Sequence, residues 1–168
     1  MSDSSNICLS CGLCCDGTLI GFVQVERKEI PMLKGLLNIE EDSTGDGVFL
    51  HPCNNYCDGC TIYSKRPKQC AKFNCGLVTS LEQKELDFNS AIEIINTVKQ
   101  KKIAIEKMLV ILHIKLKSPS FYFKMVELKK ILEKKKSESS LTPDHLALIS
   151  DLDQLDSLLP TKFNISAY

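Results

Sequence analysis

The sequence predicts an α+β protein: a small, irregular, metal-stapled cysteine-rich module of short strands and loops, followed by an antiparallel three-helix extension. Three observations predict it. All nine cysteines of the 168-residue chain fall between Cys8 and Cys75. Residues 1–80 show little sustained periodicity, whereas from Ser80 onward apolar residues recur at the 3.6 period of a helix. The expected division is therefore a cysteine-cluster module over 1–80 and a helical extension over 81–168 packed on it.

Each element has its own signal. Thr18 to Val25 is rich in β-branched and apolar residues and reads as a strand. Pro31 suits the first turn of a short helix with Ile30, Leu33, Leu36 and Leu37 as its apolar positions. Val48-Phe49-Leu50 reads as a second short strand, and the chain from there to Cys75 as loop with one helical turn. Ser80 with Gln83, and Ser90 with Glu93, both have capping-box spacing for a long helix. Its stripe is Phe88, Ile92, Ile95, Val98, Ile105, Met108, Leu109, Leu112 and Leu116. Ser118-Pro119 should end it and cap a second helix whose buried face is Phe121, Met125, Leu128 and Leu132. Thr142-Pro143 should start a third, carrying Leu146, Ile149, Leu152, Leu155 and Leu159, with Pro160 as its stop.

Composition narrows the function. Hydrophobic residues make up 43% and charged residues 25%, an ordinary globular balance. The 21 basic and 21 acidic side chains cancel, so no global field favours nucleic acid or a membrane. A mildly basic middle and an acidic tail read as solvated helix faces, and no aromatic stacking motif accompanies the lysines. The first residues, Met-Ser-Asp-Ser-Ser-Asn, lack the basic and apolar regions of a secretory signal. No apolar run approaches the roughly 18 residues that cross a bilayer. A cytoplasmic protein is expected, and there clustered cysteines more often mean metal or redox chemistry than disulfides.

The spacing of the thiols carries the chemistry. Cys8-x2-Cys11, Cys11-x2-Cys14 and Cys57-x2-Cys60 each present two soft thiolates from one turn, the unit that zinc and iron–sulfur centres use. Gly12 relaxes the first of these turns. The doublet Cys14-Cys15 departs from the ferredoxin run, in which three residues separate the third and fourth cysteines. Adjacent side chains point in different directions, so the doublet suggests two metals close together or a thiolate bridging a polynuclear centre. Zinc, iron, iron–sulfur and Cu(I) all accept thiolates. Structural zinc supplies on the order of 10–16 kcal/mol, enough to fold a loop-rich segment. Chelation should then unfold residues 1–80 and leave most helix in 81–160.

The pattern Cys8-x2-Cys11-Gly12-x-Cys14-Cys15, then Pro52-Cys53, then Cys60-Thr61-Ile62-Tyr63-x2-Arg66-Pro67-x2-Cys70-x2-Phe73-x-Cys75 resembles the CxxCxxCC (YkgJ-like) cysteine-cluster family. The resemblance spans about residues 7–76. It implies a zinc- or iron-chelating domain, and a related cluster occurs in flagellin lysine N-methylase. By that resemblance the metal ligands are Cys8, Cys11, Cys14, Cys15, Cys53, Cys60, Cys70 and Cys75. Cys57 is extra, either a further ligand or a bystander thiol. Ala71 stands where the family usually has arginine. His51 replaces a commonly small or apolar residue; it is a substitute ligand or, more often for a lone histidine before proline, an exposed loop residue. The resemblance also favours Arg66 beside the thiolates, offsetting their charge and donating to sulfur, with Tyr63 packed against the cluster.

The expected function is thus a metal-binding protein that chelates zinc or iron, or an iron–sulfur or polynuclear cluster, with metal ions as its partners. The alternative is a metal- or cluster-dependent enzyme, such as a methylase-like protein-modifying or redox activity. Against it, the chain lacks a Gly-rich nucleotide loop, the Cys-x3-Cys-x2-Cys signature of radical enzymes and a Ser/His/Asp set. His113 and His145 lie on expected helices as face residues. Exposed lysine-rich faces motivate a third reading, a protein-interaction adaptor.

Overall fold

The structure, a computed structural model, describes residues 3–57 and 59–168. It is mixed α and β. A first helix, α1 (Asp3–Cys11), leads into a three-stranded antiparallel sheet of β1 (Phe22–Val25), β2 (Glu40–Glu41) and β3 (Gly47–Leu50), in the order β1-β3-β2. The short α2 (Ile30–Leu33) opens at Pro31 as expected. A 3-10 turn (Tyr63–Lys65), α3 (Lys68–Lys72) and α4 (Gly76–Glu82) then precede α5 (Phe88–Ile111), α6 (Phe121–Ser137) and α7 (Pro143–Leu158).

The sheet forms where alternation allows one buried face. Val23 and Val25 point inward from β1 and Phe49 from β3, with Phe22 paired to Leu50 and Val23 to Phe49. These residues, with Ile30, Leu33 and Leu37 of the α2 segment, form one small core. The larger core joins α5, α6 and α7 to Ile7, Leu13, Leu19, Leu77 and Val78. The two apolar cores therefore do not divide at residue 80. The first cysteines and α4 pack with the helices, and the segment from β1 to α3 packs separately.

Three helix boundaries differ from the expected ones. Neither Ser80 nor Ser90 caps α5: Ser80 lies within α4, and Asp87 accepts the Ser90 N–H at 3.0 Å. The helix also stops well before Ser118. His113 adopts φ 53°, the Ile114 N–H returns to the Leu109 carbonyl at 2.9 Å, and the His113 N–H to that of Val110 at 3.1 Å. That is a Schellman closure, with histidine where glycine is usual. His113 is thus a terminator, and Leu112 and Leu116 lie beyond the helix. Ser120, fully buried, caps α6 at the Phe123 N–H, because the Ser118 amide and hydroxyl are taken by the Glu127 carboxylate. The buried face of α6 is the expected Phe121, Met125, Leu128 and Leu132.

In α7 the start is as expected but the buried stripe is rotated. Thr142 and His145 form a reciprocal capping box, with Oγ1 and Nδ1 2.7 Å apart. That turns His145 inward, so Leu148, Leu152 and Leu155 are buried while Leu146 is 56% exposed. Pro160 does not stop the chain's winding. It sits within a wide π turn (Leu159–Phe163) that continues directly from α7, and Asn164 at φ 53° ends it.

Candidate metal centre

The helix α1 ends in the cysteine knot. Cys8 and Cys11, three apart, share one face of its last turn. Gly12 then takes φ 70°, and a side chain there would overlap the Tyr56 ring, so two independent constraints require glycine. The following loop folds around Leu13. The Leu13 carbonyl accepts the Thr18 and Leu19 N–H groups at 3.0 and 2.9 Å, and its side chain is fully buried. Two lysines of α5 hold the knot from outside. Lys102 pairs with Asp16 at 2.9 Å in a largely desolvated contact, and Lys99 donates to the Ser10 carbonyl at 3.2 Å. Part of the basic middle segment therefore clamps the knot.

The later cysteines arrive on separate supports. The Cys53 N–H donates to the Cys15 carbonyl at 2.8 Å. Cys60 follows Tyr56 in an isolated antiparallel bridge. Cys70 rides on α3, which Glu29 caps by accepting the Lys68 N–H at 2.9 Å and which Gln69 ties to β1 through the Gln24 N–H at 2.7 Å. Cys75 caps α4. The result is one open cavity of about 470 Å³ lined by Cys8, Cys11, Cys14, Cys15, Cys53, Cys60, Cys70 and Cys75. Cys57 is exposed and does not line it, so the two cysteines of Cys57-x2-Cys60 part company. All nine are free thiols.

His51, Tyr63 and Arg66 line the same cavity. His51 is not an exposed loop residue: it is 2% exposed, edge-on to Phe49 at 5.5 Å, and its backbone N–H is held by the Gly21 carbonyl at 3.0 Å. Neither ring nitrogen makes a hydrogen bond of good geometry among the described residues, though the Cys15 backbone lies near the ring, and burial lowers the His51 pKa below the usual imidazole range. The Arg66 guanidinium lies over the Tyr63 ring at 3.9 Å, a cation–π contact that fixes the charge at the cavity wall.

Burial and mutual repulsion oppose ionisation of these thiols. Desolvation pushes Cys11 up to about 12 and Cys70 up to about 11. It raises Cys8, Cys14, Cys53 and Cys75 as well, with neighbouring thiols adding to the effect at Cys8, Cys14 and Cys53. Cys60 is the exception, lowered to about 6 because the Cys15 thiol donates to it and Arg66 stands nearby. Donating in turn raises Cys15. Eight thiolates cannot share this cavity without a counter-cation.

Among the described residues no group of three or more His, Cys, Asp or Glu side chains is arranged to hold a metal ion as it stands. The donor set is nonetheless of the kind a soft metal takes: eight thiols lining one cavity, a guanidinium held at its wall, and a buried imidazole beside them. Sequence reasoning missed Leu13, Glu29 and Tyr56, which carry no metal-binding signal and act only through tertiary contact. Comparison with protein-family models, curated proteins and solved structures finds no match. No helix among the described residues is long and apolar enough to cross a membrane.

Proposed function

We propose that this chain is a cytoplasmic metal-binding protein of the CxxCxxCC (YkgJ-like) type, chelating zinc or iron, the latter as an iron–sulfur or polynuclear cluster, through its clustered cysteine thiolates. One observation carries the reading. The cavity gathers the same eight cysteines that the resemblance marks as ligands, from α1, the knot, the 53–60 loop, α3 and the α4 cap, and leaves out the ninth. Bound metal supplies the positive charge that lets the thiols ionise and gives the segment from Cys53 to Cys75 a covalent-strength anchor that its small core lacks. Arg66 offsets residual negative charge. Cys57 is a bystander.

Elemental analysis of protein purified without oxygen tests this. Stoichiometric zinc, or iron with sulfide and a brown chromophore, is expected. Protein that purifies under these conditions with no bound metal would sink the proposal.

A second reading, a cluster-dependent redox or protein-modifying enzyme, is favoured by one feature. None of the eight cysteines is fully buried, whereas a purely structural centre is normally closed. An added small ligand such as cyanide should then perturb the spectrum of the loaded protein; an unresponsive spectrum rejects this reading.

A further inference from the structure

The eight cavity thiols do not stand as one uniform lining. Cys8, Cys11, Cys14 and Cys75 pack against the large helical core, on α1, the start of the knot loop and the α4 cap. Cys53 and Cys70 pack against the small sheet core, on the 53–60 loop and α3. The remaining two, Cys15 and Cys60, stand side by side with their thiols close enough to interact. The Cys15 backbone is tied to this second side by its bond from the Cys53 N–H at 2.8 Å.

Resting on the metal-binding reading above, we propose that the cavity holds two four-thiolate sites, Cys8/Cys11/Cys14/Cys75 and Cys15/Cys53/Cys60/Cys70, each taking one thiophilic centre, either a zinc ion or an iron–sulfur cluster. The doublet then has a physical role. Successive side chains diverge, so one peptide bond delivers Cys14 to the helical side and Cys15 to the sheet side. Four thiolates satisfy a tetrahedral zinc ion or a four-iron cluster, so neither site needs a bridging sulfur or Cys57. The two sites rest on different apolar cores, so they differ in the stability of their supports. The second, on the smaller core and two short elements, is the more labile.

Graded chelation of the loaded protein, followed by rapid thiol alkylation and peptide mapping, reads the partition directly. Cys57 should label from the outset. Cys15, Cys53, Cys60 and Cys70 should then become reactive as one bloc, before Cys8, Cys11, Cys14 and Cys75 follow as another. The absorption spectrum recorded alongside separates zinc from iron–sulfur. Release of all eight together, or of Cys14 and Cys15 in the same bloc, overturns the partition while leaving metal binding intact. Labelling of all nine in protein that contains no metal overturns metal binding itself. Cys14→Ser and Cys15→Ser provide a second measure: each should keep half of the wild-type metal with the other bloc still protected, and loss of all metal from either variant with retained helical circular dichroism counts against two sites.

Discussion

The Cys53 backbone N–H donates to the Cys15 carbonyl at 2.8 Å, and this bond joins residues 38 positions apart at the seam between the two cores. Cys15 belongs to a loop wrapped on Leu13 in the helical core; Cys53 packs on the sheet. The cavity exists because these two supports are held face to face.

Gly12→Ala should destabilise the protein by about 1 kcal/mol or more, from the left-handed backbone at φ 70°, with an added cost from overlap with Tyr56. Denaturant unfolding of G12A, Y56A and the double variant separates the two terms. The double variant should be more stable than the single effects sum to; strict additivity would show that the Tyr56 contact is not limiting.

Glu29→Ala leaves the Lys68 N–H at the start of α3 without its carboxylate partner. A loss of about 1–2 kcal/mol is expected, of the size of a lost helix cap. Hydrogen exchange should rise over residues 68–72 more than in α5. Unchanged protection of α3 would contradict the role assigned to Glu29.

In metal-free protein near neutral pH, Cys60 should alkylate faster than Cys11 or Cys70, because a thiol lowered to about 6 is largely thiolate there and thiols raised to about 12 and 11 are not. Arg66→Ala removes a charge that favours the Cys60 thiolate, so its labelling should slow. Equal rates at all three cysteines would refute the electrostatic account of the pair.

Tyr168 gives a pH dependence away from the thiols. Its hydroxyl donates to the Thr18 carbonyl at 2.9 Å, and burial, with Asp156 and Asp16 nearby, raises its ionisation above the usual tyrosine range. A raised folded value means that its contribution is complete below about pH 10 and is lost as pH climbs beyond it. Thermal unfolding of wild type should therefore weaken above that pH. Tyr168→Phe should cost about 1 kcal/mol at neutral pH and show a shallower alkaline decline. Matching alkaline limbs in the two proteins would assign the decline to other groups.

Leu13→Ala should cost about 2–5 kcal/mol, since its side chain is fully buried under a loop whose turn closes on its own carbonyl. Loosening should reach Cys14 and Cys15 as increased alkylation of metal-free protein. A small stability change with an unaltered loop would show that the backbone bonds suffice.

Local chemistry was legible where a residue type acts within its own turn. The β1 and β3 strands, the Pro31 turn, the α6 face and the Thr142 cap follow from alternation, helical period and capping, which need only near neighbours in the chain. That eight of the cysteines form a set was equally legible, and the cavity gathers those eight. Tertiary contact decided the rest. Asp87 prevailed over two serines as the α5 cap, and His145 rotated the α7 face, because a fixed core selects among caps that are locally equivalent. His51 was buried by its link to Gly21, 30 positions away. Above all, the pattern in the sequence sets eight cysteines apart from a ninth, and on the proposed reading those eight are the metal ligands. Only the folded chain, which sets half of them on a helical core and ties the others to a sheet, decided which stand together, since spacing along a chain does not encode which core a loop will cover.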